Sequence, residues 1–120
     1  MKAVFSRVKT PKDVSWAMKV NWTEPALEDL EAIQVYIAKD SNFYARQFIE
    51  RIFDAAKKLE TFPEIGRRVL EAEERIDVRE LIFQGYRIIY YIQSESIYII
   101  AVIHGRQDLA GMRDKPWQVN

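Results

Sequence analysis

The chain has no cysteine, which excludes disulfides, thiolate metal sites and cysteine nucleophiles. It has one histidine, His104, too few for a zinc site without thiolates, since structural zinc takes four nitrogen or sulfur ligands. No metal and no cofactor are expected. No apolar run approaches the ~18 residues that read as a membrane span. The N-terminal residues lack the apolar stretch of a signal peptide, so the expectation is a cytoplasmic protein with no membrane contact. Excess charge is also missing: 18 Lys and Arg balance 18 Asp and Glu. Any attraction to nucleic acid must then come from a local basic patch, not from the molecule as a whole. The triplet Asn21-Trp22-Thr23 matches a glycosylation sequon, a match short enough to arise by chance.

What is present is an ordinary globular composition, with 48% hydrophobic and 30% charged residues in 120. That length suits one domain with a modest core. Residues 1–17 carry four basic residues, one acidic residue and Pro11; they read as an extension to a domain over 18–110, with 111–120 as a loosely held tail.

Within the domain the periodicity changes once. Residues 19–22 read as a short strand. Thr23 is placed to cap a helix, Pro25 suits its first turn, and Glu24, Glu28 and Asp29 favour its positive end. Leu27, Leu30, Ile33 and Ile37 recur at helical spacing over 24–39. After a turn at Asp40-Ser41-Asn42, Phe48, Ile52, Ala56 and Leu59 make the apolar stripe of a second helix over 42–61, stopped by Pro63 and Gly66. So short a link predicts an antiparallel helical hairpin. Strands are then expected at 68–70, 76–83, 86–92 and 97–103, the last apolar on both faces as a central strand is. The fold class is α+β, ordered β-α-α-β-β-β, with the hairpin on one face of an antiparallel sheet. The other face is left for solvent or a partner.

Several of these segments resemble the RelE/ParE toxins. The resemblance lies in Glu24-x-Ala26-x-x-Asp29-Leu30, in Leu59-x-x-Phe62-Pro63 followed by Gly66-Arg67, and in Arg79-Glu80-Leu81. It continues in Tyr86-Arg87-Ile88-x-Tyr90 and Ile103-His104-Gly105-Arg106-x-Asp108, and covers roughly 19–109. It implies the toxin half of a type II toxin–antitoxin pair, neutralised by a cognate antitoxin. Apolar surface beyond what the chain itself can cover also predicts self-association of the isolated chain, as in a homodimer. The resemblance also implies two targets: RelE-like members cut messenger RNA on the ribosome, and ParE-like members act on DNA gyrase. An inactive or non-toxic binding domain of the same fold is the third reading.

RNA cleavage through the 2′-hydroxyl needs a base, an acid and cations around the phosphorane. Arg87 and Arg106 would hold the phosphate and His104 would move a proton, provided His104 and Arg106 share strand parity. Arg79, Arg87, Tyr91, His104, Gly105 and Arg106 are the residues expected to meet a target or partner. Each has a plainer role. Arg79 would be a sheet-edge charge, Arg87 would pair with Asp77 or Glu80, His104 would end a strand, and Tyr86, Tyr90, Tyr91 and Tyr98 would be core aromatics. Charge separates the targets. Between Arg67 and Asp108 six arginines meet seven acidic residues, and no lysine lies between Lys58 and Lys115. A ribosome-bound nuclease gains affinity from each phosphate it neutralises, so the balance favours the ParE-like reading.

Overall fold

The computed structural model describes residues 18–118; the proposed extension over 1–17 lies outside them. Strand β1 (Lys19–Trp22) leads into α1 (Glu24–Ala38), with Pro25 in the first turn. Thr23 holds the expected cap position, but its hydroxyl does not bond the helix. It donates instead to Ile99 O at 2.8 Å, tying the helix start to the sheet. Ser41 does cap α2 (Asn42–Lys57), accepting from the Tyr44 N–H at 3.1 Å. The helix tightens to a 3-10 turn over Lys58–Glu60, which ends it ahead of Pro63. Ile52, Ala56 and Leu59 are fully buried, as their spacing predicts.

The second half forms β2 (Arg67–Arg68), β3 (Val78–Phe83), β4 (Tyr86–Gln93) and β5 (Ser96–His104). The sheet order is β1-β5-β4-β3-β2. Strands β2 to β5 pair antiparallel, as expected, while β1 lies parallel to β5, so the sheet is mixed. The helical hairpin between β1 and the later strands carries the chain back to the starting end, which sets that direction. The turn joining β3 to β4 is Gln84-Gly85, both at positive φ, as a two-residue hairpin requires.

Two cores result. Toward the helices, Ile88, Tyr90, Ile97, Ile99 and Val102 meet Ala26, Leu30, Ile52 and Leu59. Tyr90 also pins the loop after α2: its hydroxyl donates to Pro63 O at 2.8 Å and accepts from the Gly66 N–H at 3.0 Å. A methyl on Gly66 would fall 2.5 Å from that hydroxyl, so the loop needs glycine here.

The opposite face is not left bare. Ile89, Ile100, Ala101 and Ile103 are covered by Val69 and Ala72 from the loop before β3, and by Leu109 and Trp117 from beyond β5. Trp117 is 5% exposed and its carbonyl accepts from Arg75 Nη1 at 3.2 Å. The reading of 111–120 as a loosely held tail is therefore corrected for its described part, 111–118. An apolar sheet face needs a cover, and this polar-looking segment adds buried Trp117 and half-buried Met112 to Leu109. Trp117→Ala should lower stability by about 3–5 kcal/mol, measured as a fall in the urea midpoint. An unchanged midpoint would mean the segment does not cover the sheet in solution.

Candidate functional site

Arg87 lies on β4 opposite Ile103 and Ile82, facing away from the helices. Its guanidinium is held from two sides. Nε donates to Glu80 Oε1 at 2.6 Å, while Nη1 and Nη2 donate to Glu71 at 3.1 and 2.8 Å. Glu80, 2% exposed, also accepts from Arg67 Nε at 2.8 Å. Two arginines and two glutamates thus form one neutral chain, Arg67–Glu80–Arg87–Glu71. Glu80 was one of the two partners expected for Arg87; the other, Asp77, pairs with Arg75 at 2.8 Å. Hydrogen bonding to Glu71 chiefly, and also to Glu80, raises the Arg87 pKa further above its ordinary value. The same bond holds the Glu71 carboxyl below its ordinary value.

These groups line a cleft of about 550 Å³ between β2, the 3-10 turn Leu70–Ala72 and the Gly85 and Gly105 turns. Exposed Leu70 and Ile82 flank it. Gly105 closes the end of the β4–β5 pair, its N–H bonding Gly85 O at 2.7 Å.

His104 lies elsewhere. Antiparallel pairing is shifted between Ile89 and Tyr90, where Ile100 is the extra residue on β5. Ile100 and Ala101 both join the second core, while Val102 returns to the helix side. His104 follows on that side, its ring edge-on to Tyr86 at 5.4 Å. Arg87 and His104 thus occupy opposite faces of the sheet. The strand stops at His104, so the parity argument does not extend to Arg106. Instead His104 Nδ1 accepts the Arg106 N–H at 3.1 Å within a turn.

The remaining expected residues divide in the same way. Arg79 donates to Gly66 O at 2.8 Å and supports the loop after α2. Tyr91 stacks on Tyr98 at 5.3 Å on the second face. Tyr90 is buried, and burial raises its phenol pKa. Sequence reasoning passed over Glu71, because a carboxylate on a short turn carries no periodic signal. Glu80 had one: it shares strand parity with Val78 and Ile82.

Breaking the network should act on stability before chemistry. Arg87→Ala leaves Glu80 buried with only the exposed Arg67, and should cost about 3–5 kcal/mol. The paired change Arg87→Met with Glu80→Leu should cost less by urea unfolding, and equal losses would deny the coupling. Acid should matter too. Glu71 and Asp77 are both held below their ordinary values by arginine partners. The stability they add is present above their unfolded values and lost as pH falls through the depressed folded values. Glu71→Gln should flatten that loss below about pH 4.5, the ordinary Glu value, and an unchanged acid limb would contradict the pairing.

A family model and a curated relative show the family, and two solved structures share the fold. Residues 20–109 match the model of the ParE toxin of the type II toxin–antitoxin system parDE. The chain is 34% identical over 87 residues to Toxin RelE2 of Caulobacter vibrioides, covering 72% of this chain and 93% of that protein. Among solved structures it is similar to the chromosomal ParDE system of P. aeruginosa (TM-score 0.62, 22% identity, 74% of this chain and 97% of that one). It is also similar to the RelBE2 toxin–antitoxin complex of Mycobacterium tuberculosis (TM-score 0.56, 18% identity, 73% and 98%). With 90 residues inside one family model, the chain belongs to the ParE family of the RelE/ParE superfamily of type II toxin–antitoxin toxins.

Proposed function

We propose that this toxin acts by binding, as a ParE-like inhibitor of DNA gyrase, and is neutralised by a cognate antitoxin. The observation that carries the reading is the separation of the candidate nuclease groups. Arg87 is spent on two carboxylates in the cleft, and His104 sits across the sheet. General acid–base cleavage asks that base and phosphate-binding cation both reach one phosphodiester, and these two do not converge. The even charge balance between Arg67 and Asp108 supports the same reading, as does the parDE description of the matching family.

The antitoxin has apolar surface to bind. Tyr36, Phe43 and Tyr44 lie at the tip of the helical hairpin and are each more than half exposed, and Leu70 is 85% exposed beside the Arg87 cleft. Patches of this kind mark protein contacts. Messenger RNA cleavage, implied by the resemblance to RelE-like members, is the second reading; it requires Glu71 to release Arg87.

The test pairs two assays on the purified chain. With gyrase, ATP and relaxed plasmid, loss of supercoiling and accumulation of cleaved DNA are expected. With ribosomes and a defined messenger RNA, the RNA should stay intact. Cleaved RNA with normal supercoiling would replace this proposal by the second reading. Normal supercoiling with intact RNA would leave a non-toxic binding domain.

A further inference from the structure

β1 is the last strand on its side of the sheet. Hydrogen bonds assign its outer edge residue by residue. Lys19 N–H donates to Glu95 O and Thr23 N–H to Ile99 O, so the odd-numbered residues turn their backbone polar groups toward β5. A strand residue presents its N–H and C=O to one side, and the sides alternate. Val20 and Trp22 therefore point theirs outward. Met18 N–H, of the same parity, is taken by Glu60 O at 3.0 Å. No hydrogen bond among the described residues reaches the backbone of Val20 or Trp22. Such an edge is a template for another strand.

This edge can pair with its own copy. About a twofold axis at Asn21, Val20 lies opposite Trp22 of the second copy, and Trp22 opposite Val20. Both are then hydrogen-bonded antiparallel pairs, and all the outward N–H and C=O groups of the two residues are used.

The helix above the edge carries a matching pattern. Val20 and Trp22 pack with the core on the helix side, and the Trp22 ring meets Phe53 of α2 edge-on at 4.8 Å. Phe53 is nonetheless 40% exposed. Arg46, Glu50, Phe53 and Lys57 recur at intervals of four or three residues, so they share one exposed face of α2. The 3-10 turn prolongs the row with Glu60, three residues beyond Lys57. Along the row the side chains run positive, negative, apolar, positive, negative. Turned end for end about Phe53, the row meets itself with every charge opposite its counter-charge: Glu50 against Lys57, and Arg46 against Glu60. None of these four belongs to an ion pair among the described residues. An axis beside Asn21 passes close to Trp22 and so to Phe53, which lets one symmetry operation serve both layers.

We propose that the chain forms a twofold dimer through this side. β1 pairs antiparallel with β1 of the second copy and joins the two five-stranded sheets into one. Phe53 packs on its symmetry mate, and Glu50 pairs with Lys57 across the axis. The occupant is a second copy because a self-complementary row is what an isologous contact requires; a partner of one sign would meet as much repulsion as attraction. The inference goes beyond the toxin reading and holds whether gyrase or RNA is the target.

Sedimentation equilibrium of the purified full chain, with amide exchange at Val20 and Trp22, provides the test. The chain should sediment as a dimer, and both amides should exchange more slowly as concentration rises. Glu50→Lys sets two lysines against each other across the axis, and Lys57→Glu sets two glutamates. Each should weaken dimerisation about tenfold, because the axis counts every repulsion twice. An equimolar mixture of the two variants should form a heterodimer with the affinity of the parent chain, since opposite charges then meet again. That recovery also shows both variants to be folded. A monomer at every concentration would overturn the proposal. So would a dimer indifferent to both substitutions, or failure of the two variants to associate on mixing. Protection of Val20 and Trp22 in a monomer would make another segment of the chain the occupant, and would overturn it as well. Gyrase, ribosomes and antitoxin play no part in these measurements, so the toxin reading can fail while the dimer stands, or the reverse.

Discussion

Strands β4 and β5 are apolar on both sides, and the rest of the molecule is arranged to keep water from both. Ile88 and Ile99 look toward the helices while Ile89 and Ile103 look away. At about 1.5–3 kcal/mol for each large aliphatic side chain fully buried, leaving either side wet would consume a small domain's stability. The helical hairpin serves one side. The other is served by two separate pieces, the loop around Val69 and Ala72 and the segment from Leu109 to Trp117. The Arg87 network occupies the gap where that second cover ends.

This arrangement makes the polar network intelligible. A charged residue on the face of β4 that also carries Ile89 would be ruinous alone. Flanked by Glu80 and Glu71 it becomes a neutral, hydrogen-bonded patch at the margin of the second core. The pair with Glu80 is deep and belongs to the sheet, whereas Glu71 approaches from a 3-10 turn followed by Glu73 at φ 48° and ψ −104°. The two carboxylates hold one guanidinium with unequal support.

Most of the fold was legible from the chain alone. Ile52, Ala56 and Leu59 at helical spacing, Ser41 as a cap, Pro63 as a stop and the unbroken apolar run of β5 each act locally, and local rules describe them. The parallel pairing of β1 was not legible, since it depends on where the hairpin returns the chain. Nor was the burial of Trp117, which follows from a demand made by the far side of the sheet. The site was harder still. Arg87 and Glu80 were recognisable as a pair, but Glu71 joins them through a turn with no sequence signature. Asp29, read as a helix-start acid and as one letter of the family motif, proves to be a surrogate strand partner for Val102.

The extra residue at Ile100 has a consequence for transferring knowledge between relatives. Beyond it, every side chain of the strand projects from the side that simple alternation would deny it. Aligned letters at His104 therefore do not guarantee equivalent positions in space. In a homologue with the same number of residues in its final strand but unbroken alternation along it, the matching histidine would share a surface with the arginine from which His104 is here divided by the thickness of the sheet.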